Sequence, residues 1–177
     1  MGNENSTNLW QVLYDVLGIK NPNGNCVVWT RMAYVVLRSM TDLKVTPMGT
    51  LVEIPSYSIT HCYLKGTCPS SNNVKVAGEQ LKVFLECGQI KQMVKNMPQL
   101  EGIIYEGKIE GLPGEEIVLD GTADQFTEQK ERRDGSCGFY GPVSIAKPRL
   151  RDAYRTSKEA MQMAQSLSIP KEEGKIS

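Results

Sequence analysis

The run Cys26-Val-Val-Trp-Thr-Arg-Met-Ala-Tyr-Val-Val-Leu-Arg-Ser-Met40 is apolar on nearly every side of a helical wheel. A helix of that kind cannot lie on a surface; it must be enclosed by the rest of the fold. The segment before it, Lys20-Asn-Pro-Asn-Gly-Asn25, consists of turn-forming residues throughout, so the buried helix is expected to start at or next to Cys26. With 177 residues, the chain can bury such a helix in one core and is too short for two ordinary domains. A single domain over 1–177 is expected, with 1–7 as a flexible N-terminus, 66–98 as an insertion and 168–177 as a frayed tail.

The flanking elements follow from periodicity. Leu9, Trp10, Leu13, Val16 and Leu17 fall at helical spacing and Gly18 follows as a stop, predicting a short amphipathic helix capped from Ser6 or Thr7. Beyond Asp42 the pattern changes to strands, Lys44–Ile54 and Ser58–Leu64, with Pro47, Gly49 and Pro55 as punctuation. Glu79–Met97 reads as a helix that tolerates Gly88. Gly102–Ile109 and Glu115–Leu119 read as a hairpin closed by Gly111-Leu-Pro-Gly114. Gln129–Gly141 reads as a surface loop, and Lys147–Leu167 as a last amphipathic helix using Leu150, Ala153, Tyr154, Met161, Ala164 and Leu167. Helices and strands in this order predict an α+β fold.

Composition narrows the function classes. The 20 basic and 20 acidic residues balance and form no stripe, which argues against nucleic acid as a partner. No apolar run is long enough to span a bilayer, and the first ten residues lack the features of a secretion signal. A cytoplasmic location is expected, in a host cytoplasm if the protein is a secreted effector. The opening Met-Gly-Asn-Glu-Asn-Ser fits the myristoylation pattern at Gly2, and membrane association is expected only through that lipid. A polar tail is the favoured alternative. The cysteines at 26, 62, 68, 87 and 137 show no disulfide-framework spacing, and one histidine without a Cys-x-x-Cys pair does not make a zinc site. Neither a metal nor a cofactor is expected.

Three residues carry the chemistry. A thiol at a helix start lies in the positive end of the helix dipole, beside backbone donors, so Cys26 has the setting of a nucleophile. The glycine and asparagines before it let a backbone approach closely, as an oxyanion hole needs. His61, the single histidine, ends a polar-apolar alternation that predicts a strand, and it is the available acid-base partner. Asp120 follows the apolar strand Ile117-Val-Leu119 and is placed to orient an imidazole, with Asp124 as its competitor. Each also has a structural reading: Cys26 as an inert core thiol, His61 as a half-buried structural residue, the aspartates as turn caps.

Gly24-Asn25-Cys26 opening a helix, Thr60-His61 in a strand, and Val118-Leu119-Asp120-Gly-Thr-Ala-Asp-Gln-Phe126 together resemble the papain-like and transglutaminase-like cysteine hydrolases. The last stretch is similar to the segment around the acidic triad member in bacterial effector and toxin deamidases. The resemblance covers roughly residues 20–127. It implies a papain-like core: a Cys-bearing N-terminal helix packed on an antiparallel sheet that carries His and Asp. Two departures stand out. Histidine and aspartate lie close in sequence in many members, whereas here 66–98 intervenes as an insertion. Lys20 occupies the position where papain-type proteases place an oxyanion-donating glutamine, leaving Asn25, the Cys26 amide and Gln125 as candidates.

The implied function is acyl transfer through a thioester on a protein substrate, with a Cys26–His61–Asp120 triad. Protein-glutamine deamidation is the favoured reaction and peptidolysis the runner-up. A non-catalytic interaction module of the same fold is the reading from a different class.

Overall fold

The structure, a computed structural model, describes residues 7–20, 24–126 and 138–160. The expected lipidation at Gly2, the part of the last predicted helix beyond residue 160 and the C-terminal tail lie outside the described residues. Helix α1 spans Leu9–Leu17 and is capped by Asn8, whose side chain accepts the amides of Trp10 and Gln11. Asn8, rather than Ser6 or Thr7, is therefore the cap. The Thr7 carbonyl instead accepts the Glu106 amide at 2.7 Å. Gly18, at φ 69°, ends the helix in the left-handed conformation that glycine adopts at least cost.

Helix α2 spans Cys26–Met40 and buries Trp29, Thr30, Met32, Ala33 and Tyr34 to Leu37, as its all-round apolar surface requires. Strands β1 (Val45–Ile54) and β2 (Tyr57–Thr67) form a long antiparallel pair in register from Val45 opposite Gly66 to Ile54 opposite Tyr57. The chain then builds a separate two-stranded sheet from β3 (Asn73–Ala77) and β4 (Ile104–Lys108), with α3 (Gly78–Leu85) between them. It returns as β5 (Glu116–Asp120) beside β2. β6 (Phe139–Gly141) covers the other edge of β5, and after α4 (Pro148–Arg155) a short β7 (Lys158–Glu159) pairs with β1. The main sheet is thus five antiparallel strands in the order β6-β5-β2-β1-β7.

Four more sequence expectations are corrected. The last helix, read over Lys147–Leu167, ends at Arg155, and Lys158–Glu159 instead adds a strand to the edge of β1. The helix over Glu79–Met97 stops at Leu85; Gly88 takes φ 51°, and a 3-10 turn over Gly88–Met93 follows. Gly102–Ile109 and Glu115–Leu119 are not a hairpin, since β4 pairs with β3 and β5 with β2 and β6. The intervening loop is tied elsewhere: Asn72 donates its side-chain amide to the carbonyls of Ile109 and Gly111 at 2.9 and 2.8 Å, and Gly114 donates to the Cys68 carbonyl at 2.9 Å. Those bonds take the polar groups that would otherwise face a hairpin partner. The stretch read as a loop through Gly141 ends in a strand, because the free edge of β5 offers 118–120 as a partner for 139–141.

Side chains alternate across the sheet as strand geometry dictates. Leu64, Ile117 and Leu119 point into the core built by α1, α2 and the small sheet. Tyr63 and Val118 point to the opposite face and pack with Ala153 and Tyr154 of α4. The helices grip the residue after β5: the Tyr14 hydroxyl donates to the Gly121 carbonyl at 2.6 Å, and the Trp29 ring occupies the space a Gly121 side chain would need. A Cβ at 121 would fall 2.0 Å from the indole. Gly121→Ala is accordingly expected to cost about 1–3 kcal/mol through overpacking, measured by denaturant unfolding. Unchanged stability would show that the indole can move away at no cost.

Candidate active site

β5 ends at Asp120 while β2 continues, so the edge of β2 beyond Leu64 is not covered by a strand. The first turn of α2 takes that place. Cys62 directs its backbone groups to this edge, and the helix meets both: the Cys62 amide reaches the Cys26 sulfur, and Thr30, one turn further along, donates its hydroxyl to the Cys62 carbonyl at 3.3 Å. Residues four apart lie on one helix face, which is why a single strand residue can hold both. Cys26 is thereby placed in line with the sheet, near His61 of β2.

His61 and Asp120 project from neighbouring strands onto the α4 face. The His61 Nε2 and Asp120 Oδ2 lie 2.7 Å apart, with both side chains essentially inaccessible to water. Asp120, not Asp124, is the carboxylate that meets the ring. It also accepts from the Tyr154 hydroxyl on Oδ2 at 2.6 Å and from the Thr122 amide on Oδ1 at 3.2 Å. Phe126 covers the imidazole edge-to-face at 4.7 Å between ring centres. With Nε2 committed to Asp120, Nδ1 is the nitrogen left for the thiol. The Gln125 side-chain nitrogen stands 3.5 Å from Nδ1 and donates to the Thr122 hydroxyl at 3.3 Å. Asn25 stands at the start of α2 without capping the helix through its side chain.

The electrostatics are those of an ion pair. The Cys26 thiol is pushed well below its ordinary 9.0, first by a hydrogen bond from the Cys62 thiol, against the effect of burial, and then by the His61 ring. Burial favours neutral His61, but the charge and hydrogen bond of Asp120, joined by Cys26, outweigh it and raise the ring to about 9. Cys62 moves the opposite way from its neighbour, upward, because it gives its hydrogen bond to Cys26, because it is buried, and because of the Cys26 charge. Tyr154 is also raised, by burial and by Asp120, so it remains a hydroxyl donor. At neutral pH the site is a thiolate beside an imidazolium, the state in which a cysteine nucleophile is active.

Cys26, His61, Asp120 and Gln125 are therefore brought to one place. Sequence reading missed Tyr154, which lies on a separate helix and carries no local signal, and Cys62, whose position next to the only histidine was the available clue. Among the described residues no cluster of three or more ligating side chains could hold a metal, and no helix is long and apolar enough to cross a membrane. No family model matches the chain, and neither a curated protein nor a solved structure matches it.

The ion pair predicts a specific pH profile for alkylation of Cys26 by iodoacetamide. Because the thiol is lowered, the rate should already be on its plateau at neutral pH and fall only on the acid side. Because His61 is raised, the imidazolium should persist until pH rises through about 9. His61→Ala should move the acid limb of Cys26 labelling upward toward an ordinary thiol. A wild-type rate that still climbs steeply between neutrality and pH 9 would exclude the ion pair.

Proposed function

We propose that this chain is a thiol hydrolase with a papain-like core, acting on protein amides and most specifically on glutamine side chains. The observation that carries this is His61 standing between the Cys26 thiol and a buried carboxylate 2.7 Å from its other nitrogen. The order of the parts agrees with it: the nucleophile on a buried helix, the histidine and the aspartate on adjacent antiparallel strands. Preference for deamidation over peptidolysis rests on the similarity of Val118–Phe126 to the corresponding segment of effector deamidases.

In the proposed reaction the Cys26 thiolate attacks the carboxamide carbon of glutamine. The tetrahedral oxyanion is met by amide donors, for which the first turn of α2 and the Gln125 side chain are the candidates. The C–N bond breaks as His61 donates its Nδ1 proton to the departing ammonia, leaving a thioester and a neutral imidazole. His61 then takes a proton from water, the resulting hydroxide attacks the thioester, and the C–S bond breaks to regenerate the thiolate and imidazolium; the side chain leaves as the carboxylic acid and gives its proton to the released ammonia, becoming glutamate. Asp120 fixes the ring orientation and stabilises the imidazolium. Tyr154 and Thr122 hold the carboxylate in place.

The test is incubation of the purified chain with a cell-lysate protein mixture, followed by ammonia release and mass spectrometry of peptides. Glutamine-to-glutamate conversion is expected with the wild type. It should fall by at least ~10³-fold in Cys26→Ala and by roughly 10²–10⁴-fold in Asp120→Asn, since triad members act as a unit. New peptide termini dependent on Cys26 would replace deamidase with peptidase. Neither product, with Cys26 inert to alkylation, would leave the interaction-module reading.

A further inference from the structure

We propose that Cys26 and Cys62 are a peroxide-responsive pair, in which Cys62 resolves an oxidised Cys26 by forming a disulfide with it. The amide-hydrolase chemistry does not use Cys62 as an acid, base or nucleophile, yet the fold holds it against the nucleophile. The Cys62 amide and thiol both reach the Cys26 sulfur, and the Thr30 hydroxyl fixes the Cys62 carbonyl to the same helix face at 3.3 Å. No strand intervenes, because β5 has already ended at Asp120.

The other described cysteines are engaged elsewhere. The Cys68 thiol lies against the Pro69 and Glu110 carbonyls and the Asn72 amide, and the exposed Cys87 thiol donates to the Val83 carbonyl. Accessibility sets the order of events: Cys26 is half-buried and Cys62 is only 4% exposed, so an oxidant in solution meets Cys26 first.

The chemistry balances with hydrogen peroxide as the oxidant. The Cys26 thiolate attacks one peroxide oxygen, the O–O bond breaks, and the departing hydroxide takes a proton from the His61 imidazolium to leave as water. Cys26 is now a neutral sulfenic acid. The negative charge that held the Cys62 proton in place is gone. The Cys62 sulfur attacks the sulfenic sulfur, the S–O bond breaks, and the departing hydroxide takes the Cys62 proton and leaves as a second water. Two thiols have lost two electrons and two protons, and the peroxide has become two waters. Silencing of amide hydrolysis by this bond rests on the proposed function; the bond itself does not.

The test uses the full chain with hydrogen peroxide, read by peptide mapping under non-reducing conditions. The expected product in the wild type is a Cys26–Cys62 cross-linked peptide that dithiothreitol reverses. In Cys62→Ser and Cys62→Ala, both checked for folding by circular dichroism, Cys26 should instead pass to sulfinic acid, with irreversible loss of its thiol at least about tenfold faster than in the wild type. Equal overoxidation in wild type and variants, or a cross-link from Cys26 to a different cysteine, would overturn the proposal. A cross-link without amide turnover would leave this proposal standing and remove the hydrolase reading. Amide turnover without the cross-link would do the reverse.

Discussion

The contact between His61 and Asp120 is the constraint around which the site is arranged. Two ionisable side chains at 2.7 Å with no water access are costly to desolvate, and a buried pair of this kind repays that cost only when its other polar atoms are bonded too. Here they are. Asp120 accepts from Tyr154 and Thr122 as well as from His61, so both carboxylate oxygens are used. A well-packed apolar pair would serve stability as well or better. What the ionic pair adds is an imidazole of fixed orientation, charged at neutral pH.

That contact draws on every layer of the fold. β2 and β5 bring the two residues side by side, α4 supplies Tyr154, and α1 and α2 fix the backbone just past Asp120 through Tyr14 and Trp29. α2 then delivers Cys26 to the one stretch of β2 edge where β5 has stopped. Cys26, His61 and Asp120 are thus set by rigid elements rather than loops, which holds their relative positions within a narrow tolerance. The same seating brings Cys62 to Cys26, so one piece of packing both favours the thiolate and gives it a neighbouring thiol.

Much of the chain was legible before any coordinates. The all-round apolar run Cys26–Met40 is a buried helix, the β1 and β2 boundaries differ from the periodicity by only a few residues, and the choice of Asp120 over Asp124 agrees with the observed contact. The misreadings share a cause. The hairpin after Gly102, the loop ending at Gly141 and the last helix continued past Arg155 follow from local propensity, while long-range partners decide the outcome: Asn72 and Cys68 for the first, the edge of β5 for the second and the edge of β1 for the third.

The sequence by itself determined which segments must be buried and which residue types could do thiol chemistry, because periodicity and side-chain reactivity are local properties. Only the tertiary structure decided which groups meet. The proton equilibrium between Cys26 and His61, the role of Tyr154 and the pairing of Cys26 with Cys62 depend on distances of a few ångströms between residues far apart in the chain. Hydrogen bonds and charge interactions at that range fall off too steeply with separation and geometry to be read from sequence spacing.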